Sequence, residues 1–538
     1  MAPLSFRSLR RRAFPLLAAL GALAVGACRG DDPPVDDSPV YRDSGVVTTE
    51  PDGAVVRPDG STPPPPPPPP TDAGKPDAQA DGGPAGQGRK LASGELEVVS
   101  TLLDGTIIFH RYGAKISLEA VSPTGGAVSV IVPDLVLEGA DTDDVVSVIG
   151  GAVGVWTAVN EDTGLGRLSV WTKATGLKLA ADVSPIYEVD ASADGARLAF
   201  VRGTGATAQL VTAPATLEAA NVVVVQNALG DGSAANPCPA FYTFVGQNLF
   251  SSTCTGTGLT ATARRTTPAG AILQIDTGLA PYFLSASATG DKVFSAKRIT
   301  GTGTGGAAAV YSVGATAVTE LAIEASGVAE GQIAQDGSTV VYRTRLGALK
   351  KANTVAPATP TELLPNGGLV GILGVARDFR TVLSHKLPPG GADGSLFDLQ
   401  LSTLATPGPA VSVVPTATAL EFGFTHASRY VLWVPDVAAP TPSLKARAVA
   451  GGADVDLGSA SIFLGKIDGT DAVVLGHNER EITVAGDKYP VVDYKLVDPT
   501  GAPKPLVTGV DLAALVAPGG KLLVFTEAGS GLFVRDIP

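Results

Sequence analysis

The feature that most constrains this chain is a turn that keeps returning. A glycine-centred polar turn is followed by apolar residues about three and five positions on: Asp194-Gly195 leads to Leu198 and Phe200, Asp336-Gly337 to Val340 and Tyr342, and Gly519-Gly520 to Leu523 and Phe525. Weaker copies begin near Gly105, Gly150, Gly246, Gly290, Phe379, Ser428 and Thr470, so ten anchors recur at intervals of 42 to 51 residues. A turn followed by strict apolar alternation is the signature of a strand with one face buried. A repeat of about 46 residues holds four strands of five or six residues plus their turns. Helical 3.6-residue periodicity is almost absent after the extreme N-terminus. Composition agrees: 65 glycines and 42 prolines supply turns, and charged residues are only 17% of the chain.

Four-stranded units repeated in this number leave many sheet edges, and a ring of sheets keeps those edges short and protected. The expected architecture is therefore an all-β β-propeller of four-stranded blades over residues 94–538. Ten anchors exceed the usual four to eight blades, so some anchors are expected to mark two places in one blade, giving one ring of seven or eight blades; two smaller rings are the alternative. A β-sandwich array or a β-solenoid is the alternative architecture. The stretch Ala191-Ser192-Ala193-Asp194-Gly195-Ala196-Arg197-Leu198-Ala199-Phe200 resembles the Ser-Pro-Asp-Gly-x-x-Leu-Ala-Phe repeat of TolB-type propellers, with looser copies at Gln335-Asp336-Gly337 and Thr470-Asp471-Ala472. In such rings the first strand often completes the last blade. The candidates here are Glu95 to Ser100 pairing with Gly531 to Arg535.

Residues 1–27 read as an export signal. Arg7, Arg10, Arg11 and Arg12 form a basic head, and Ala13 to Val25 an apolar stretch too short to span a bilayer, which takes roughly 20 residues. It ends in Val25-Gly26-Ala27-Cys28, which resembles the lipobox of bacterial lipoproteins. That resemblance implies acylation of Cys28, cleavage before it, and a membrane partner held through the lipid. An ordinary signal peptide cut near Ala27 is the plainer reading. Arg11-Arg12-Ala13-Phe14 resembles the twin-arginine pattern, although Arg10 and Pro15 depart from it, so general or twin-arginine export stays open. In the enterobacterial lipoproteins that this segment resembles, an Asp after the cysteine retains the protein at the inner membrane, so the resemblance with Arg29 in that place implies the outer membrane rather than the inner. Residues 28–93 are depleted in large apolar side chains from Arg29 to about Arg89 and contain eight consecutive prolines, Pro63 to Pro70. Such a segment cannot bury enough surface to offset chain entropy, and is expected to be a disordered, proline-rich tether.

Net charge is −13, and cleavage that removes four arginines and no acid takes it to −17. A surface of that sign repels polyanions, so nucleic acid is not an expected partner. Cys238 and Cys254 remain after Cys28, and an exported chain permits them a disulfide.

Chemical motifs are sparse. His110, His385, His426 and His477 stand far apart in sequence, with no His-Glu-x-x-His, no Cys-x-x-Cys and no Gly-x-Ser-x-Gly. Gly301, Gly303 and Gly306 satisfy Gly-x-Gly-x-x-Gly but lead into a strand-like run, where a dinucleotide site needs a helix. His477-Asn478-Glu479-Arg480-Glu481 is the most polar short cluster and reads as a surface turn. No catalytic residue, metal ligand or cofactor is therefore expected. The function expected is a non-catalytic binding or scaffolding module for an envelope protein or glycan. The alternative is a secreted hydrolase or lyase acting on polysaccharide or peptide, with a site assembled across blades.

Overall fold

The computed structural model describes residues 88–538 apart from 138–142, 161, 230–240, 254–260, 298–305, 326, 357, 366–368, 387–395, 406–410, 419–422, 436–442 and 460–461. The three cysteines, the lipobox and almost all of the expected tether lie outside the described residues. Among those described, the regular elements are strands and two single-turn helices, Gly205–Thr207 and Ala219–Asn221.

The strands form antiparallel sheets in simple up-and-down order. Blade 1 spans 95–135, blade 2 143–185, blade 3 189–227, blade 6 328–364, blade 7 369–418, blade 8 423–459 and blade 9 462–511. Blades 4 and 5 are fused into one seven-stranded sheet by Ile272–Ala286. Its first part pairs with Ala261–Thr266 and its last residues with Lys292–Lys297. Blade 10 consists of Leu515–Val516, Leu522–Glu527, Gly531–Asp536 and, outermost, Arg89–Ser93.

Apolar faces of neighbouring blades meet in ten clusters that run once around a circle. Trp156 and Leu168 of blade 2 pack with Leu198 and Phe200 of blade 3, and Phe250 of blade 4 with Val293 and Tyr311 of blade 5. Val474 and Tyr494 of blade 9 pack with Leu523 and Phe525 of blade 10. Val524 and Val534 of blade 10 then meet Leu96, Val98 and Phe109 of blade 1. The fold is a single propeller of ten blades, not seven or eight. Each sequence anchor marks a different blade, in the turn between its first and second strands; only the fused sheet of blades 4 and 5 holds two of them, Gly246 and Gly290.

The geometry of that turn explains the repeat. Nine of the ten anchors are left-handed, with φ from +55° to +82°, and the tenth, Thr470, follows Gly469 at +72°. Glycine reaches this region without strain. The anchor's N–H returns to the carbonyl three residues back, as Gly195 to Ser192 (2.7 Å), Gly337 to Ala334 (2.9 Å) and Ser428 to Thr425 (2.9 Å). The aspartate before it accepts from the N–H two residues on: Asp194 from Ala196 (3.1 Å), Asp336 from Ser338 (2.9 Å) and Asp378 from Arg380 (3.0 Å). Asp-Gly thus closes the turn with one side chain and one conformation.

Ring closure differs from expectation in its register. Arg89–Ser93, not Glu95 to Ser100, pairs with Gly531–Asp536, while Glu95–Thr101 is the innermost strand of blade 1. Leu91 and Ala92 are buried in the seam between blades 10 and 1. Two short apolar runs flank Gly94, and only the partners decide which run belongs to which blade.

Candidate functional site

In an up-and-down blade the turns between strands one and two lie at one face of the ring, and the links between blades at the other. The first strand of each blade is a sheet edge on the channel, so its outward N–H groups have no ladder partner. The chain meets this need from the preceding blade. Asp190 Oδ2 accepts from Phe244 N (3.3 Å), Ser285 Oγ from Ile333 N (3.2 Å) and Glu330 Oε1 from Ile372 N (2.8 Å).

The fullest such cluster joins blades 6 and 7. Glu330 and Arg343 are cross-strand partners, which puts both side chains on one face. The Arg343 Nε donates to Glu330 Oε1 at 2.7 Å, with the arginine side chain only 8% exposed. His385 stands across the ladder from Gly371. A Cβ at position 371 would lie 2.6 Å from His385 Cε1 and 3.4 Å from Glu330 Oε1, so only glycine leaves room for the imidazole there. Burial, and then the Arg343 guanidinium, push His385 down to about 4. The imidazole is neutral at physiological pH beside a committed ion pair.

Blade 1 carries a second cluster. Arg111 Nε donates to both oxygens of Glu119 at 3.0 Å, Ser117 Oγ adds a 2.8 Å bond, and the same guanidinium reaches the Ser93 carbonyl of the closing strand. The Tyr112 hydroxyl donates to Glu97, whose carboxylate lies 3.7 Å from Nδ1 of the buried His110. A third cluster joins blades 3 and 4, where Tyr242 OH donates to Glu188 at 3.1 Å. Burial raises Glu188 and Asp190 above the ordinary carboxylate range.

The structure therefore separates the histidines. His110, His385 and His477 belong to the second strands of blades 1, 7 and 9. His426 sits at the opposite face, in the first turn of blade 8, where its Nδ1 accepts from Gly469 N (2.6 Å) and its Nε2 lies 3.1 Å from Asp468. The 477–481 cluster is not a turn: the strand Val473–Val484 runs through it, with a bulge between His477 and Arg480. Asp493 on the partner strand holds it, accepting from Asn478 Nδ2 (2.6 Å), Arg480 Nη1 (2.9 Å) and Gly509 N (2.7 Å). Gly519-Gly520 is a hairpin turn, as its sequence context indicates. Of the glycine triplet, Gly301 and Gly303 lie outside the described residues.

Glu330, Arg343, Glu97 and Asp190 carry no motif. Their one signal in the sequence is a charge set among the apolar residues of a strand, as in Val328-Ala329-Glu330-Gly331-Gln332-Ile333. Chemically, each cluster ties two neighbouring blades. Among the described residues, no group of three or more His, Cys, Asp or Glu side chains has metal-binding geometry.

No family model matches the chain, and no curated protein matches it in sequence. Solved structures do. A eukaryotic initiation factor is similar over 69% of this chain and 90% of its own, at 11% identity and TM-score 0.42. TolB from Acinetobacter baumannii is similar over 61% of this chain and 81% of its own (12% identity, TM-score 0.27). An oligogalacturonate lyase from Vibrio parahaemolyticus covers 59% and 93% (10%, 0.28).

Proposed function

We propose that this chain is a cell-envelope lipoprotein, anchored through Cys28, whose propeller is a non-catalytic binding or scaffolding module for protein or glycan. The observation that carries the module half is the use made of the charges set into the blade strands. Glu330 with Arg343, Arg111 with Glu119, and Asp190 with Phe244 N each lock adjacent strands or blades, so their charge is committed to holding the ring. The anchor half rests on the arginine head, the apolar stretch and Val25-Gly26-Ala27-Cys28. On this reading export also allows Cys238 to bond Cys254, and Arg29 directs the protein to the outer membrane.

Two measurements test it. Membrane fractionation with intact mass should find the mature wild-type chain acylated at Cys28 and the Cys28→Ser chain released or uncleaved; an unlipidated wild-type protein overturns the anchor. The wild-type chain should also co-sediment with peptidoglycan or bind an envelope protein or glycan, without releasing new reducing ends or amines. Turnover of polysaccharide or peptide overturns the module and puts a hydrolase or lyase in its place.

A further inference from the structure

Blade 4 breaks the pattern of its neighbours. Its second and third strands, Asn248–Thr253 and Ala261–Thr266, place hydroxyls and arginines where other blades carry Val, Leu and Phe. Leu249 packs on Ala199, Val201 and Leu210 of blade 3, so side chains that share its face point toward blade 3. Alternation along each strand and pairing across the ladder put Ser251, Thr253, Thr262, Arg264 and Thr266 on that face, with Ser251 directly opposite Arg264 and Leu249 opposite Thr266.

Arg264 is half-buried and its hydrogen bonds are to neutral oxygens, Thr253 Oγ1 at 2.8 Å and the Thr262 carbonyl at 3.3 Å. Among the described residues no carboxylate pairs with it. Burial lowers its affinity for the proton and no neighbouring charge compensates. Ser251 and Thr266, at 0% and 1% exposure, have hydroxyl oxygens without a hydrogen-bond partner. A cation without a counter-ion beside orphaned buried hydroxyls is costly in the free protein, and one complement satisfies both.

We infer that Arg264, Ser251, Thr253 and Thr266 form a binding site for a small oxyanion, a phosphate, sulfate or carboxylate group, between blades 3 and 4. The guanidinium supplies charge-assisted donors and the hydroxyls turn to donate, as recognition of such a group requires. The inference is independent of the envelope reading, and each stands if the other fails.

Isothermal titration of the full chain with inorganic phosphate, sulfate and glucuronate tests it and separates the three sources. At least one should saturate with 1:1 stoichiometry, and Arg264→Met should weaken it by roughly tenfold or more, the effect of losing one charge-assisted contact. Ser251→Ala, which leaves the arginine in place, should weaken it several-fold; it decides the matter if the arginine variant does not fold. Saturation by none of the three anions, or unchanged affinity in the variant that folds, overturns the site.

Discussion

One oxygen of Glu330 is asked to do two things: neutralise Arg343 and satisfy the edge N–H of Ile372. Both demands arise from burial, because an unpaired charge or an unmet N–H inside the ring costs more than the bond itself gains. His385 lies in the same setting and stays neutral for that reason. Its folded value of about 4 is below the ordinary 6.5. The unfolded chain therefore takes up the proton first on acidification, and the folded state loses stability from about pH 6.5 down through pH 4. Urea melts at pH 7 and pH 4 should show wild-type protein losing about 3 kcal/mol more than His385→Leu over that interval. Equal losses in the two proteins would mean that the imidazole already titrates normally in the fold.

At the scale of the hairpin, left-handed anchors and aspartate side chains make each first turn self-sufficient, which is why the turn repeats legibly even where its flanking strands drift. Ser428 and Phe379 adopt the same conformation without being glycine, at φ +60° and +55°, and their anchors are among the weaker copies in the sequence. Gly531 is different in kind. It opens the third strand of blade 10 at φ +139°, and a Cβ there would stand 2.1 Å from the carbonyl oxygen of Ala92 on the closing strand. Gly531→Ala should lower stability by at least about 2 kcal/mol through strain and loss of strand contact. Gly113→Ala, with negative φ and 3.6 Å of clearance, should change the urea midpoint little. A midpoint for Gly531→Ala equal to that of Gly113→Ala would show that the closing strand does not approach as described.

For the whole molecule, closure rests on Arg89–Ser93. Four cross-strand pairs hold it to the last strand, Leu91 and Ala92 are 5% and 4% exposed, and Arg111 reaches its last carbonyl. A chain beginning at Gly88 should therefore melt like the full chain. A chain beginning at Gly94 should lose about 3 kcal/mol or more, from one buried leucine and a newly exposed sheet edge. The comparison by thermal and urea unfolding is direct, since the two chains differ by six residues; equal stability would leave the ring without need of its N-terminal strand.

The sequence alone determined the unit and how often it occurs. A turn with positive φ and an Asx bond needs particular residues, and alternation is enforced by the two-residue period of a strand, so ten hairpins and an all-β chain are written locally. The pairing of blade 10 with Arg89–Ser93 was decided only in three dimensions, because two apolar runs around Gly94 compete for one edge more than 430 residues away. So was the choice of one ring of ten: the angle between neighbouring sheets sums over all the contacts, and no single repeat encodes it. Glu330, Arg343 and His385, like Arg264 with its hydroxyls, acquire their chemistry from burial and from the blade alongside. An isolated charge in an apolar strand announces a demand for a partner, but only the fold supplies one.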